Sequence, residues 1–390
     1  MKKILVVSNC SRRGTSSGLT GKFLDQLSKV DNRKFSISLL DISTGNDNSQ
    51  LNYPVESHFK LPKGIIWNFI SKIPKIRSWH ASNLAIKTYK DLLKQRKFVG
   101  VILYQVQPNA DEWTRIAHEN NAKIMFVPWG SEVLRASDKV KKNLHQAFAE
   151  VDFVIGALDA NTLISAKEEF NVSDHKILQY KNYLKGVKLI SEYQGKKTRK
   201  DMISSLGLPY SDCNILCGYN GYVGQRHKII IDALSQVRSK LPKDYQLVFP
   251  ITYGASQGYV DELRTLCEKK ELKANFITNY LTDEQVAYLH LITDLFIQIQ
   301  PTDDGNDFTK EALYARNEII TGKWLNYIQF EKYGTPYHLI NRLEELPIVL
   351  FKYFTGEEPK AIIPQKLIEE MNSASSDDNK LFWENVFSKL

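Results

Sequence analysis

The sequence predicts an α/β protein made of two Rossmann-like, doubly wound parallel-sheet domains. Three observations lead to that reading. Short apolar, β-branched runs alternate with amphipathic helical stretches through each half of the chain, as strand–helix–strand units require. The alternation is interrupted once, over 183–208, by a polar and basic stretch that loses the strand pattern. The chain has 390 residues, enough to bury two separate cores. We therefore expect an N-terminal domain over 1–190, a second domain over 191–365, and a C-terminal helix over 366–390 rich in Phe382, Trp383, Val386 and Phe387.

In the first half, strands are expected over 3–8, 35–40, 99–104, 122–127 and 151–157, with helices over 20–30 and 82–96. In the second of these helices Leu84, Ile86, Tyr89, Leu92 and Leu93 share one face. The second half repeats the scheme with strands over 214–218, 245–251, 274–278, 295–299 and 318–321. Open α/β sheets bind ligands beyond the carboxyl ends of their strands. Candidate functional residues are therefore sought in those loops.

Composition narrows the partners. A net charge of +8 and a pI near 9.0 suit phosphate groups or an anionic membrane surface, and no motif points to nucleic acid. The four cysteines show no paired metal-ligand spacing, so no metal site is expected and a reduced, cytoplasmic setting fits. The N-terminus MKKILVVSNC reads as a first strand, and no run approaches the length of a membrane span. Residues 60–80 carry Lys60, Lys63, Lys72, Lys75 and Arg77 without an acidic group, interleaved with Trp67, Phe69 and Trp79. Such a segment suits peripheral docking on an anionic membrane; a solvated basic face over a packed apolar one is the plainer reading.

The loop after 295–299 holds Asp303, Asp304, Gly305 and Asp307, and a helical pattern begins at Phe308-Thr309. Seven residues separate Asp303 from Glu311. Carboxylates accept hydrogen bonds from hydroxyls, so this pair suits a nucleotide sugar, one group on the sugar ring and the other on the ribose. A helix-capping loop with Asp307 or Thr309 as N-cap is the structural alternative. After 214–218 come Gly218, Asn220, Gly221 and Gly224, then Arg226, His227 and Lys228 ahead of a helix. Glycines admit close backbone approach, the basic residues add charge, and a helix amino end favours phosphate. Thr252 and Tyr253 follow the strand over 245–251, and Tyr280 follows that over 274–278. In the first half, Asp111 lies beyond the strand over 99–104, and Trp129-Gly130-Ser131-Glu132 lies beyond that over 122–127, where Ser131 also qualifies as a helix cap.

The acidic loop with its spaced carboxylates and the PWGSE turn resemble the GT-B glycosyltransferases of family 4, whose signature is Glu, seven residues, Glu. Here Asp303 stands for the first Glu and Glu311 matches the second. The PITYG stretch, residues 250–254, and the Gly-rich loop before His227 resemble bacterial N-acetylfucosaminyltransferases that extend lipid-linked intermediates. The resemblance implies two domains with a cleft between them and a C-terminal helix crossing back to the first domain. It implies a nucleoside diphosphate sugar as donor, a glycan or lipid-linked acceptor, and no further cofactor. Asp303 would then touch the donor sugar and Glu311 the ribose. Gly218, Asn220, Gly221, Arg226, His227, Lys228, Thr252, Tyr253, Asp307, Phe308 and Thr309 would line the donor site, with Tyr280 stacked on the base. Gly14 and Ser16 in the glycine-containing loop over 8–21, with Trp129, Gly130 and Ser131, would face the acceptor. An inverting reaction would use Glu132 or Asp111 as base, whereas a retaining one needs no base there. A non-catalytic nucleotide-sugar-binding scaffold and a sugar-nucleotide epimerase of the same fold are the competing functions.

Overall fold

The structure is a computed structural model, and it describes residues 1–10, 15–43, 53–62, 67, 74–158 and 160–390. The chain divides into two compact units, Met1–Asn182 with Ser375–Leu390, and Tyr183–Ala374.

The first unit is a seven-stranded, wholly parallel sheet in the order β3-β2-β1-β4-β5-β6-β7. Its strands are β1 (Lys2–Ser8), β2 (Phe35–Asp41), β3 (Ser57–Lys60), β4 (Gly100–Tyr104), β5 (Lys123–Val127), β6 (Phe153–Ala157) and β7 (Ile177–Tyr180). Helices cover both faces, so the central strands are apolar at nearly every position. On one face Leu5, Val101, Ile124 and Val154 pack against Tyr89, Trp113 and Phe148. On the other, Ile4, Ile102, Met125 and Ile155 meet Phe23, Leu24 and Leu27, together with Trp383, Val386 and Phe387 from the helix Ser376–Ser388. That C-terminal helix starts at a capping box between Ser375 and Asp378, and each large side chain it buries contributes about 1.5–3 kcal/mol.

The second unit is a six-stranded parallel sheet in the order β10-β9-β8-β11-β12-β13. Its strands are β8 (Cys213–Cys217), β9 (Tyr245–Pro250), β10 (Ala274–Ile277), β11 (Leu295–Gln298), β12 (Glu318–Gly322) and β13 (His338–Ile340). In each sheet the strand order reverses next to the first strand, between β1 and β4 in one unit and between β8 and β11 in the other. The crevice beyond such a switch point is where these sheets take ligands.

The observed elements depart from the sequence reading in three ways. The strands β3, β7 and β13 are short edges of three or four residues, too few to show an apolar run. The helices expected over 20–30 and 82–96 begin earlier, at Thr15 and Pro74. The unit boundary falls after Asn182, and the returning segment begins at Ser375. The helix Lys185–Tyr193 packs on Asp283–Ile292, and Gln365–Ser373 packs on Asp307–Tyr314, which assigns both to the second unit.

Of the basic–aromatic segment 60–80, Lys63, Phe69 and Lys72 and the side chain of Lys75 lie outside the described residues. Trp67, expected to insert at a membrane interface, is instead 2% exposed, its ring 6.1 Å from that of His80. Ile76, Arg77 and Trp79 are exposed on the first turns of Pro74–Gln95.

Candidate functional site

In the second unit the candidate residues gather at the switch point between β8 and β11. The loop leaving β8 turns at Gly218, whose φ of +68° is a left-handed value. A Cβ there would lie 2.9 Å from Gln225 Oε1 and 3.1 Å from His227 Nε2, so the position requires glycine. The amide of Gly221 donates to the Tyr253 carbonyl at 2.7 Å, and the Asn220 side chain accepts from the amide of Tyr222 at 2.9 Å. The loop then rises through a 3₁₀ turn to Arg226, a left-handed residue (φ +60°) that starts the helix His227–Gln236.

This loop is tied to the one leaving β11. Gln225 Nε2 donates to Gln300 Oε1 at 2.9 Å, and Arg226 Nη1 donates to the Ile299 carbonyl at 2.9 Å. The guanidinium carbon also stands 5.6 Å from the Trp324 ring centroid, and partial burial holds its pKa below the usual arginine value. Trp324 Nε1 in turn donates to the Gln300 carbonyl at 2.8 Å. Two loops from adjacent strands are thereby braced, with a helix amino end between them. Fixed N–H dipoles in such a frame can hold an anion without reorganising.

Of the three basic residues expected here, His227 is not a cation. His227 is fully buried, its Nδ1 3.2 Å from the Tyr259 hydroxyl, and burial lowers its pKa to about 4. It is a neutral strut at physiological pH and adds no positive charge. Lys228 is paired with Glu262 and lies 5.9 Å from the Tyr259 ring centroid. Arg226 is the cation positioned at the loop's tip.

The acidic loop is also more structured than its sequence suggests. Asp303 is buried, and its Oδ2 accepts from the Tyr327 hydroxyl at 2.5 Å and from Asn306 Nδ2 at 2.6 Å. Desolvation raises its pKa, and the bonds from Asn306 and Tyr327 oppose that rise. The carboxylate thus braces the turn into the helix Asp307–Tyr314. The N-cap of that helix is Asn306, whose Oδ1 accepts from the amide of buried Thr309 at 2.8 Å, and neither Asp307 nor Thr309 fills the position. Asp307 is exposed, 3.9 Å from Lys310. Phe308 stacks on Tyr219 with centroids 5.3 Å apart and lies 4.3 Å from the ring of His290. Glu311 is mostly buried, with Oε2 3.2 Å from His290 Nε2.

Beyond β9, Thr252 is half-buried and Tyr253 meets Tyr222 edge-on with centroids 6.0 Å apart. Beyond β10, Tyr280 is 65% exposed. The loops after β9 and β10 follow that of β8 in the sheet order, so these rings lie on one side of the switch point.

In the first unit, Glu132 joins two strand ends. It lies in the short helix Ser131–Leu134 after β5, and its Oε1 accepts from the amide of Trp129 at 2.6 Å and from that of Val106, beyond β4, at 3.3 Å. Burial raises its pKa, while bonds from Trp129, Val106 and Ser131 hold the rise in check. Gly130, at φ +106°, is the N-cap of this helix, and Ser131 is its exposed first residue, making no cap bond. Gln105, at the end of β4, has φ +82°, an uncommon value for a non-glycine residue and one found preferentially at functional sites. The Trp129 ring stands edge-on to Tyr104 at 5.1 Å. Asp111 lies in the first turn of Ala110–Glu119, and its buried Oδ1 has no hydrogen-bond partner among the described residues. Gly14 and the side chain of Ser16 lie outside the described residues.

Sequence reasoning missed Gln225, Gln300, Trp324 and His290. Each matters through a partner far along the chain, and only Gln300, one residue past a predicted strand, carried a local signal.

No family model matches the chain, and no curated protein matches it by sequence. Solved structures do match in three dimensions. Sucrose-phosphate synthase from Thermosynechococcus elongatus is 12% identical, covering 100% of this chain and 99% of its own, with a TM-score of 0.70. HepE from Anabaena, solved with UDP, is 14% identical over 100% of both chains with a TM-score of 0.68. A glycosyltransferase from Rickettsia africae is 13% identical, covering 99% of this chain and 97% of its own, with a TM-score of 0.65. At such identities the likeness establishes the fold, which is GT-B: two parallel-sheet α/β domains.

Proposed function

We propose that this protein is a glycosyltransferase that moves a sugar from a nucleoside diphosphate donor to a glycan or lipid-linked acceptor in bacterial surface polysaccharide synthesis. The observation that carries the reading is the braced pair of loops at the β8/β11 switch point, with left-handed Gly218 and Arg226 leading into a helix amino end. In such a frame the leaving diphosphate would meet preorganised amides and the Arg226 guanidinium, the kind of charge stabilisation that dominates acyl and phosphoryl chemistry. Glu311 would accept the ribose hydroxyls. We infer that this charge suffices without a metal ion, so turnover is expected to survive EDTA. The likeness to HepE, which has been solved with UDP-glucose, makes that compound the first donor to test.

The test is a panel of nucleoside diphosphate sugars with direct detection of released nucleoside diphosphate. An enzyme of this kind releases it faster when acceptor is present. A scaffold binds donor without turnover, and an epimerase isomerises the sugar without releasing nucleotide. Glu311→Gln is expected to weaken nucleoside diphosphate binding by roughly 10- to 100-fold, corresponding to about 1.5–3 kcal/mol for a hydrogen bond to a charged group. Unchanged affinity by calorimetry, with the fold intact, would remove Glu311 from the ribose.

We further infer docking at the cytoplasmic face of the membrane, where a lipid-linked acceptor lies, through the exposed turn Ile76, Arg77 and Trp79. Among the described residues no helix is long and apolar enough to cross a membrane. The pair Arg77→Glu and Trp79→Ala is expected to reduce sedimentation with anionic liposomes at low salt and to slow transfer to a lipid-linked acceptor more than to a short soluble one. Failure of the unaltered protein to sediment would end the membrane reading.

A further inference from the structure

We infer that Gly186 and His290 form a seat that fixes the Glu311 carboxylate in one place, and that this seat sets how strongly the site reads the hydroxyls of the nucleotide's sugar. The inference rests on Glu311 being the ribose ligand.

Three helices distant in sequence converge on this carboxylate. Glu311 belongs to Asp307–Tyr314, His290 to Asp283–Ile292, and Gly186 to Lys185–Tyr193. His290 is fully buried, its ring set 4.3 Å from Phe308, and its Nε2 stands 3.2 Å from Glu311 Oε2. An ionised carboxylate only accepts, so Nε2 must carry the proton it donates. Nδ1, also buried, has no hydrogen-bond partner among the described residues, which suits a bare lone pair better than an N–H. His290 is thereby held as the Nε2–H tautomer, aimed at Glu311.

The opposite wall is backbone. A Cβ built on Gly186 would lie 1.9 Å from Glu311 Oε1 and 2.2 Å from Cδ, so the carboxylate occupies the space a side chain would fill. Gly186 sits in the first turn of its helix and is not among the left-handed glycines, so nothing in its conformation demands glycine, a poor helix former. Its value here is the room it leaves. A carboxylate pressed between a fixed donor and a bare backbone keeps its remaining lone pairs in one direction, and two hydroxyls on neighbouring sugar carbons match such a pair of oxygens. Gly186 and His290 are positioning residues, acting through Glu311.

Gly186→Ala separates this role from general stability. Alanine favours the helix, and the atom it strikes is the free end of a flexible side chain, so Glu311 swings aside while the backbone stays. His290→Phe keeps the ring packed on Phe308 and removes the donor, and His290→Gln restores one. The experiment titrates UDP, GDP and ADP, each against its counterpart lacking both neighbouring sugar hydroxyls, into the full-length protein. For the nucleotide that binds, the unaltered protein is expected to prefer the hydroxylated form by roughly 10-fold or more. In Gly186→Ala and His290→Phe that preference is expected to fall to within about 2-fold, as in Glu311→Gln, with partial recovery in His290→Gln. If the unaltered protein shows no preference, the ribose reading of Glu311 fails and the seat with it. If it does and both variants retain the preference, Glu311 keeps its role and the seat is wrong. Equal weakening of both members of a pair likewise overturns the inference, because it marks a structural effect.

Discussion

Glu132→Gln is expected to lower kcat by about 10²- to 10⁴-fold, the range for loss of a positioned general base. The side chain keeps its size and can still accept from the amides of Val106 and Trp129, so the loops after β4 and β5 should hold their form. What is lost is the ability to take a proton. Burial raises the Glu132 pKa above its ordinary value, and a raised carboxyl pKa strengthens the base once it is ionised. The sign for activity follows: the proton must be off, so kcat/KM should fall as pH drops through a midpoint above the usual value of about 4.3. The rival base is Asp111, and Asp111→Asn is the matched control. A pH profile whose acid limb survives in Glu132→Gln, or a loss confined to Asp111→Asn, would transfer the role to Asp111. A product with retained anomeric configuration and kcat reduced less than 10-fold would reduce Glu132 to a brace between two loops.

The second large effect concerns stability. His227 titrates near 4 in the folded chain because burial disfavours its charged form, whereas an unfolded histidine titrates near 6.5. Between those values the unfolded chain binds a proton that the folded chain does not. Stability from this group is therefore complete above pH 6.5 and is lost as pH falls toward 4. At about 1.4 kcal/mol per pH unit, the full loss is about 3 kcal/mol. In denaturant titrations from pH 7 to 4.5, the unaltered protein should lose stability more steeply than His227→Gln, which keeps a group able to bond the Tyr259 hydroxyl but has no proton to gain. The two curves should converge on the acid side. Parallel curves would show that His227 is solvated in solution. Because His227 opens the helix behind Gly218, nucleoside diphosphate binding should weaken over the same interval.

Both predictions depend on facts that differ in how far the sequence could reveal them. The central strands β1, β2, β4, β5, β6, β8, β9, β11 and β12 were legible because a parallel strand covered on both faces is apolar along its length, a local property, and the edge strand β10 was legible with them. The order of the loops followed from the order of the strands, so the spacing of apolar runs was enough to assign Gly218, Glu132, Tyr280 and Asp303 to the segments that follow strand ends. The edge strands β3, β7 and β13 were not legible, since they are three or four residues long and take their form from a neighbour.

Tertiary structure alone decided what each polar group is bonded to. Nothing in the sequence ties Asp303 to Tyr327, 24 positions later, whose hydroxyl bonds to it. His227 reads as a cation until Phe249 and Tyr259 bury it, and nothing in the sequence pairs Lys228 with Glu262. Trp67 reads as a membrane anchor until its own unit covers it. Secondary structure follows the spacing of apolar side chains within one segment, so a single chain displays it. The charge and availability of a side chain depend on desolvation and on partners brought from other segments, and those are set only when the helices and strands pack.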